Sequence, residues 1–322
     1  MMVITGAAGF IGSCLLSALN KQGVEDLLLV DDFARQDKMK NLEGKACAGR
    51  VHRDDFPGWL DRNHGKVSQI VHLGARTDTT EWRQSIFDRL NLGYSRSLWK
   101  LCARYGIPLL YASSAATYGS GNEGYSDHHG LLQSLKPLNA YGRSKHDFDL
   151  WALAQPVTPP HWAGLKFFNV YGPNEYHKGR MASVVYHLFR QIRQTGEVRL
   201  FRSHRADVPD GEQRRDFIYV RDVVEACLFF LRDRPPNGVY NLGTGLARSY
   251  NDLARATFVA MGVEARIHYV DTPESIRDNY QYFTRADISK LRAAGYDKPF
   301  SSLEEGVGDY VTNYLAPGEV CS

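Results

Sequence analysis

The sequence predicts an α/β protein: a doubly wound parallel sheet with helices on both faces, and a smaller, interleaved C-terminal domain. Three observations carry this. Short apolar runs alternate with amphipathic stretches through the first half. A turn spaced by glycines, T-G-A-A-G-F-I-G (5–12), directly follows the first run. After Pro173 the texture turns to charged and aromatic sequence with Pro and Gly breaks.

MMVIT (1–5) reads as a strand, followed by a helical pattern through Leu15, Leu16 and Leu19 that Gly23 closes. LLLV (27–30), VSQIVHLGA (67–75) and PLLYASS (108–114) are further strands. A long helical segment, about 82–105, separates the last two, and WAGLKFFNV (162–170) continues the series. RSHRADVPDGEQRR (202–215) reads as an exposed loop, and DFIYVRDVVEACLFFLRD (216–233) as a strand and helix returning to the sheet. GVYNLGTG (238–245) is one more strand with a glycine turn, and the tail is helical in pattern. The expected division is a dinucleotide-binding domain over 1–170, rejoined by about 216–240. A substrate domain spans 171–322, mainly 171–215 and 241–322.

The bulk numbers exclude more than they assign. The 322 residues are 43% hydrophobic, enough for one large core or two modest ones. Lys+Arg 39 against Asp+Glu 36 leaves a net +3, with no basic stripe for nucleic acid. Cys14, Cys47, Cys102, Cys227 and Cys321 are scattered and form no C-x-x-C pair, so neither metal nor disulfides are expected. A chain that opens on a core strand, with no apolar run near 18 residues, is expected to be cytoplasmic, without signal peptide or membrane span.

The glycine turn has a physical purpose. Gly6 permits the tight turn, Gly9 lets backbone N–H groups approach a pyrophosphate, and Gly12 lets helix pack on strand. With Asp31 closing the second strand about 19 residues on, where a ribose-binding acid is wanted, the pattern is a Rossmann-type fingerprint. Asp31 and Asp32 favour the free ribose hydroxyls of NAD, whereas Arg35, Lys38 and Arg53 could neutralise the 2′-phosphate of NADP.

Residues 139–146, N-A-Y-G-R-S-K-H, place Tyr141 and Lys145 four apart, on one helix face. A nearby ammonium and an oxidised nicotinamide are expected to pull the phenol toward neutrality, making Tyr141 a usable base or acid for a sugar hydroxyl. Lys145 could also hold the nicotinamide ribose. Ser114, about 27 residues upstream at a strand end, could hydrogen-bond the same substrate oxygen.

TGAAGFIG, YASSAATYG (111–119) and YGRSK together resemble the extended short-chain dehydrogenase/reductases, a family of nucleotide-sugar enzymes. TTEW (79–82), KPLNAYGRSK, FFNVYGPNEYHKGRMAS (167–183), RRDFIYV, YNLGTG and NYQYFTRADISKLRAAGYDKPF (279–300) are similar to its ADP-heptose 6-epimerase branch over nearly the whole chain. The resemblance implies inversion at C6″ of ADP-glycero-manno-heptose by transient oxidation and re-reduction with bound NADP, NAD being the alternative. It further implies supply of heptose for the lipopolysaccharide inner core. Inversion calls for two acid/base groups, Tyr141 and Lys178, with Lys178 lowered in pKa by burial or by a cationic neighbour such as His177 or Lys145. By the same resemblance Phe10, Ile11, Asp31, Asp32, Lys38, Arg53, Leu73, Gly74, Ala75, Asn91 and Val170 meet the cofactor. Asn169, Arg180, His187, Phe201, Arg215 and Tyr280 meet the sugar nucleotide. A homo-oligomer is expected, since the family often self-associates. The helices near 82–105 and 141–154 carry apolar faces that either pair between subunits or cover the sheet.

The chain departs from the family pattern at Arg76, at Arg180 where serine is usual, and at Asp32 where asparagine is usual. Other family reactions remain open. UDP-hexose 4-epimerases share Ser114, Tyr141 and Lys145 but give no reason for Lys178. A 4,6-dehydratase would want an acidic pair in place of Ala115-Ala116-Thr117. A non-catalytic dinucleotide sensor is disfavoured by an intact Ser–Tyr–Lys set.

Overall fold

The computed structural model describes residues 1–277 and 280–321. The 279–300 stretch therefore begins at a residue outside the described ones, while Tyr280 lies within them.

Among the described residues twelve strands run Met2–Thr5 (β1), Leu27–Asp31 (β2), Gly49–His52 (β3), Gln69–His72 (β4), Leu109–Ser114 (β5) and Trp162–Phe167 (β6). They continue as Asn169–Tyr171 (β7), Val198–Phe201 (β8), Arg214–Tyr219 (β9), Gly238–Leu242 (β10), Ala247–Ser249 (β11) and Ile267–Val270 (β12). The α-helices are Phe10–Lys21 (α1), Gln36–Met39 (α2), Phe56–Asn63 (α3), Gln84–Phe87 (α4), Tyr94–Tyr105 (α5) and Ala140–Leu153 (α6). The rest are Val184–Thr195 (α7), Val220–Asp233 (α8), Tyr250–Ala260 (α9), Glu274–Arg277 (α10), Ser289–Ala293 (α11) and Leu303–Tyr310 (α12).

Seven strands form one parallel sheet in the order β10-β6-β5-β4-β1-β2-β3. The chain works outward in both directions from β1, so a crevice opens between β1 and β4 at the carboxyl edge, where doubly wound sheets bind ligands. Strand β2, LLLVD, is buried at every position, as a strand covered on both faces must be. Two cores result. One packs α1 and α8 on the sheet around Leu15, Leu16, Val223 and Phe230. The other packs α3, α5 and α6 around Leu60, Trp99 and Phe148. Trp99 and Phe148 meet edge-on, ring centroids 6.2 Å apart, and both are buried. Those aromatic residues of the 82–105 and 141–154 stretches therefore cover the sheet.

Three expectations are corrected. DFIYV does not return to the main sheet. It belongs to β9, which begins at Arg214 and pairs with β7 and β11 in a separate three-stranded sheet, so only α8 and β10 return. The apolar run 162–170 splits for the same reason: β6 ends at Phe167 and β7 turns away to join β9. The 202–215 stretch is likewise a loop only up to Gln213, and its last two residues are strand. The sequence reading marks none of the short strands β3, β8, β11 and β12, of which β8 and β12 pair with each other.

Candidate active site

The turn after β1 fits a dinucleotide. Gly6 has φ +69°, and a Cβ there would lie 2.6 Å from the Gly74 nitrogen. A Cβ on Gly12 would lie 2.2 Å from the Gly6 carbonyl oxygen. The chain thus needs glycine both to turn and to bring α1 onto the sheet. No side chain caps the N-terminus of α1, so the first-turn N–H groups at Phe10 and Ile11 face the crevice without an intrahelical acceptor. Leu73, Gly74 and Ala75 form the facing wall from β4, and all three are half-buried, as is Val170.

At the ribose end the acids divide their work. Asp31 is buried and faces inward, accepting from the Ala8 N–H at 2.9 Å, the Asp32 N–H at 2.7 Å and Lys38 Nζ at 3.0 Å. Its carboxylate braces the glycine turn and competes with any role on a ribose. Asp32 pairs with Arg53 at 3.3 Å. Arg35 pairs with Asp37 and donates to the His177 carbonyl at 3.4 Å. Lys38 and Arg53 therefore flank the second strand's end with positive charge.

Asn91 is pinned from two sides. It lies in a π-helical segment, Asp88–Gly93, that joins α4 to α5, the kind of irregularity that recurs at functional sites. Its Oδ1 accepts from the Arg76 N–H at 2.8 Å, and its Nδ2 donates to the Arg76 carbonyl at 3.0 Å and to Ser144 Oγ at 2.9 Å. These bonds clasp the β4 loop to α6.

On α6, Tyr141 is half-buried, and Ser114 stands near enough to pull its phenol pKa down. Ser114 also caps the turn after β5, its Oγ accepting from the Ala116 N–H at 3.1 Å. Lys145 is 5% exposed and donates to the Ala112 carbonyl at 2.7 Å. Burial raises the phenol, and Ser114 offers only partial relief. Lys145 is the group that moves: burial lowers it to about 8, against the Asp149 charge that raises it.

Lys178 follows β7 on a short 3-10 turn, Tyr176–Met181, that kinks at Gly179, φ +55°. Its ammonium stands over the Phe10 ring, 5.2 Å from the centroid. Burial lowers its pKa, while Glu175 raises it. The cationic-neighbour explanation fails. His177 is itself lowered to about 4, mainly by burial, and is neutral near pH 7. Glu175 was not foreseen. It is fully buried, accepts from Ser183 Oγ at 2.6 Å and the Gly172 N–H at 3.3 Å, and so fixes the turn that carries Lys178.

The two arginines that depart from the family pattern meet on one carboxylate. Asp78 lies 3.3 Å from Arg76 and 3.3 Å from Arg180, and Arg180 also bonds Thr80. This joins the β4 loop to the Lys178 turn. On the other side, Arg215 is buried between the rings of Tyr250 and Tyr280, at 5.8 and 5.7 Å from their centroids. Phe201, at the end of β8, meets Tyr280 edge-on at 6.4 Å. Asn169 is turned toward the Asp216 carbonyl at 3.1 Å and Thr284 at 3.3 Å, and His187 lies half-buried on α7.

Residues 2–243 match the model of the NAD dependent epimerase/dehydratase family. The chain belongs to that family. An ADP-L-glycero-D-manno-heptose-6-epimerase of Fusobacterium nucleatum is 46% identical over 98% of both chains. One of the same name from Nitratidesulfovibrio vulgaris is 48% identical over 99% of both. Among solved structures, the Helicobacter pylori ADP-L-glycero-D-manno-heptose-6-epimerase superposes with a TM-score of 0.81 at 28% identity, covering 97% of this chain and 95% of that one. MoeE5 in complex with UDP-glucose and NAD gives 0.76 at 26%, covering 96% and 97%. The protein is thus an α/β epimerase-family member with an NAD(P)-type site. Among the described residues no helix is long and apolar enough to cross a membrane.

Proposed function

We propose that the protein inverts C6″ of ADP-glycero-manno-heptose, using NADP in preference to NAD. The observation that carries this is two titratable side chains on separate elements: Tyr141 on α6, next to Ser114, and Lys178 on the turn after β7, over Phe10. A reaction that oxidises and re-reduces one carbon from opposite faces needs a proton handled on each side.

Bound NADP supplies the hydride acceptor and, once reduced, the donor. The chain's own residues do the rest. Tyr141 takes the C6″ hydroxyl proton while Ser114 holds the same oxygen. Lys145, anchored on the Ala112 carbonyl, supplies positive charge beside them. Lys178, made easier to deprotonate by burial, handles the proton at that oxygen after the sugar turns over. Arg215 offers a charge-assisted contact to the diphosphate, and Phe201 with Tyr280 offers an aromatic edge to the base. Lys38 and Arg53 favour a 2′-phosphate.

The test is incubation with ADP-D-glycero-D-manno-heptose without added reductant, following C6″ stereochemistry by NMR. Conversion by wild type and its severe loss in Tyr141→Phe and Lys178→Met is expected. Full activity in Lys178→Met would break the two-base reading, and no conversion by wild type would point to a different sugar nucleotide.

A further inference from the structure

Behind the site lies an ion pair that the mechanism above does not use. Asp149 and Lys166 are both 0% exposed and bonded at 2.7 Å. Asp149 stands four residues after Lys145, itself four after Tyr141, so one stripe of α6 carries all three toward the sheet. Asp149 Oδ2 also accepts from Ser113 Oγ at 2.6 Å, and its Oδ1 accepts from Tyr111 at 3.1 Å. Lys166, the last residue but one of β6, donates to Thr117 at 2.8 Å, and Thr117 donates to the Ser114 carbonyl at 2.9 Å. The Tyr118 ring lies 5.4 Å from the Lys166 ammonium.

A buried ion pair is a poor source of stability, because desolvating two charges offsets their attraction. Val or Leu at 166 would suit a central strand better. Yet this pair is fully satisfied, and its bonds end on the two pieces that present Ser114 and Lys145. Resting on the reading above, we propose that Asp149 and Lys166 are positioning residues for the Ser114–Tyr141–Lys145 set. The Asp149 carboxylate keeps the desolvated Lys145 ammonium charged, and Lys166 with Thr117 holds the Ser114 turn against α6. The other titratable groups facing Lys145 are Tyr141 on its own helix and His72 on β4. His72 is held neutral near pH 7, mainly by burial, with Lys145's own charge contributing. Among the described residues Asp149 is the one carboxylate that raises Lys145.

The test uses full-length protein carrying 13Cε-lysine, with the Lys145 resonance assigned by its absence in Lys145→Arg. Asp149→Asn alone leaves Lys166 buried without its anion and can fail to fold. The double variant Asp149→Asn/Lys166→Met removes both charges together. In it the Lys145 midpoint is expected at lower pH than in wild type. The alkaline limb of kcat is expected to move the same way, with kcat at pH 8 down about tenfold or more and KM changed by less than about threefold. Lys166→Arg should keep the wild-type profile. A folded double variant with an unmoved Lys145 midpoint overturns the proposal. If wild type converts no ADP-heptose but the Lys145 midpoint still shifts in the double variant, the substrate reading falls and the positioning role stands.

Discussion

The Lys178 ammonium stands 5.2 Å from the centre of the Phe10 ring, the first residue of the helix that follows the glycine turn. This sets an otherwise ordinary lysine at the mouth of the cofactor crevice. The contact leaves the charge less hydrated than on a surface, and burial lowers the pKa.

Lys178→Met should therefore cost far more than a packing change. Loss of a positioned acid/base group lowers kcat about 10²- to 10⁴-fold. Thermal unfolding checks that the fold survives, since Glu175 keeps its Ser183 and Gly172 bonds. An unchanged kcat would return Lys178 to a surface role.

Arg180 reaches Asp78 and Thr80, but its side chain is 68% exposed, so the pair adds little to stability. Its effect should lie in holding the Lys178 turn against the β4 loop. Arg180→Ser is expected to lower kcat/KM about fivefold while moving Tm by less than about 2 °C. Raising salt should narrow the gap between variant and wild type, because the lost interaction is screened. A gap that persists unchanged at high salt would argue against the ion pair.

Lys38 and Arg53 flank the end of β2, and each already holds an acid, Asp31 and Asp32 respectively. Arg53→Ala should weaken NADP+ about tenfold and NAD+ by less than about twofold, since only the former carries a 2′-phosphate. Isothermal titration with both cofactors reads this directly. Equal losses for both would show Arg53 serving Asp32 alone.

What was legible in the sequence follows the strength of local signals. The glycine turn, Tyr141 with Lys145, and six strands of the main sheet rest on spacing and periodicity, which local sequence carries, whereas β3, GRVH, has no apolar run to mark it. Asp149 could have been read by continuing that spacing one turn further, with Lys166 as the lone charge in WAGLKFF the second clue. Glu175 could not. Its role depends on Ser183 and Gly172 folding back around it, a tertiary fact with no spacing signature. The burial that raises the Tyr141 phenol is likewise tertiary, as is the aim of the Lys145 ammonium at the Ala112 carbonyl. The β9 error has the same origin: an apolar run shows that a strand forms, not which sheet it joins.

His72 gives the pH signature of the fold. It is 2% exposed at the end of β4, with Nδ1 2.6 Å from Thr5 Oγ1 and Nε2 3.0 Å from Ser95 Oγ. Thr5 in turn accepts from the Gly74 N–H at 3.2 Å, so the imidazole ties β1 to the cofactor wall. Burial, helped by the Lys145 charge, lowers its pKa from 6.5 to about 3. The unfolded chain therefore binds this proton first. Stability from neutral His72 is complete above about pH 6.5 and is lost as pH falls toward about 3. At pH 5 the loss from this one group is on the order of 2 kcal/mol, or roughly 3 °C in Tm. The buried carboxyls Glu175 and Asp216, both raised by burial, act with the opposite sign. Wild type should thus be compared with His72→Gln, whose side chain cannot take the proton. The wild-type Tm should drop more steeply between pH 7 and pH 5 than that of His72→Gln, and parallel curves would show that His72 does not titrate in this way.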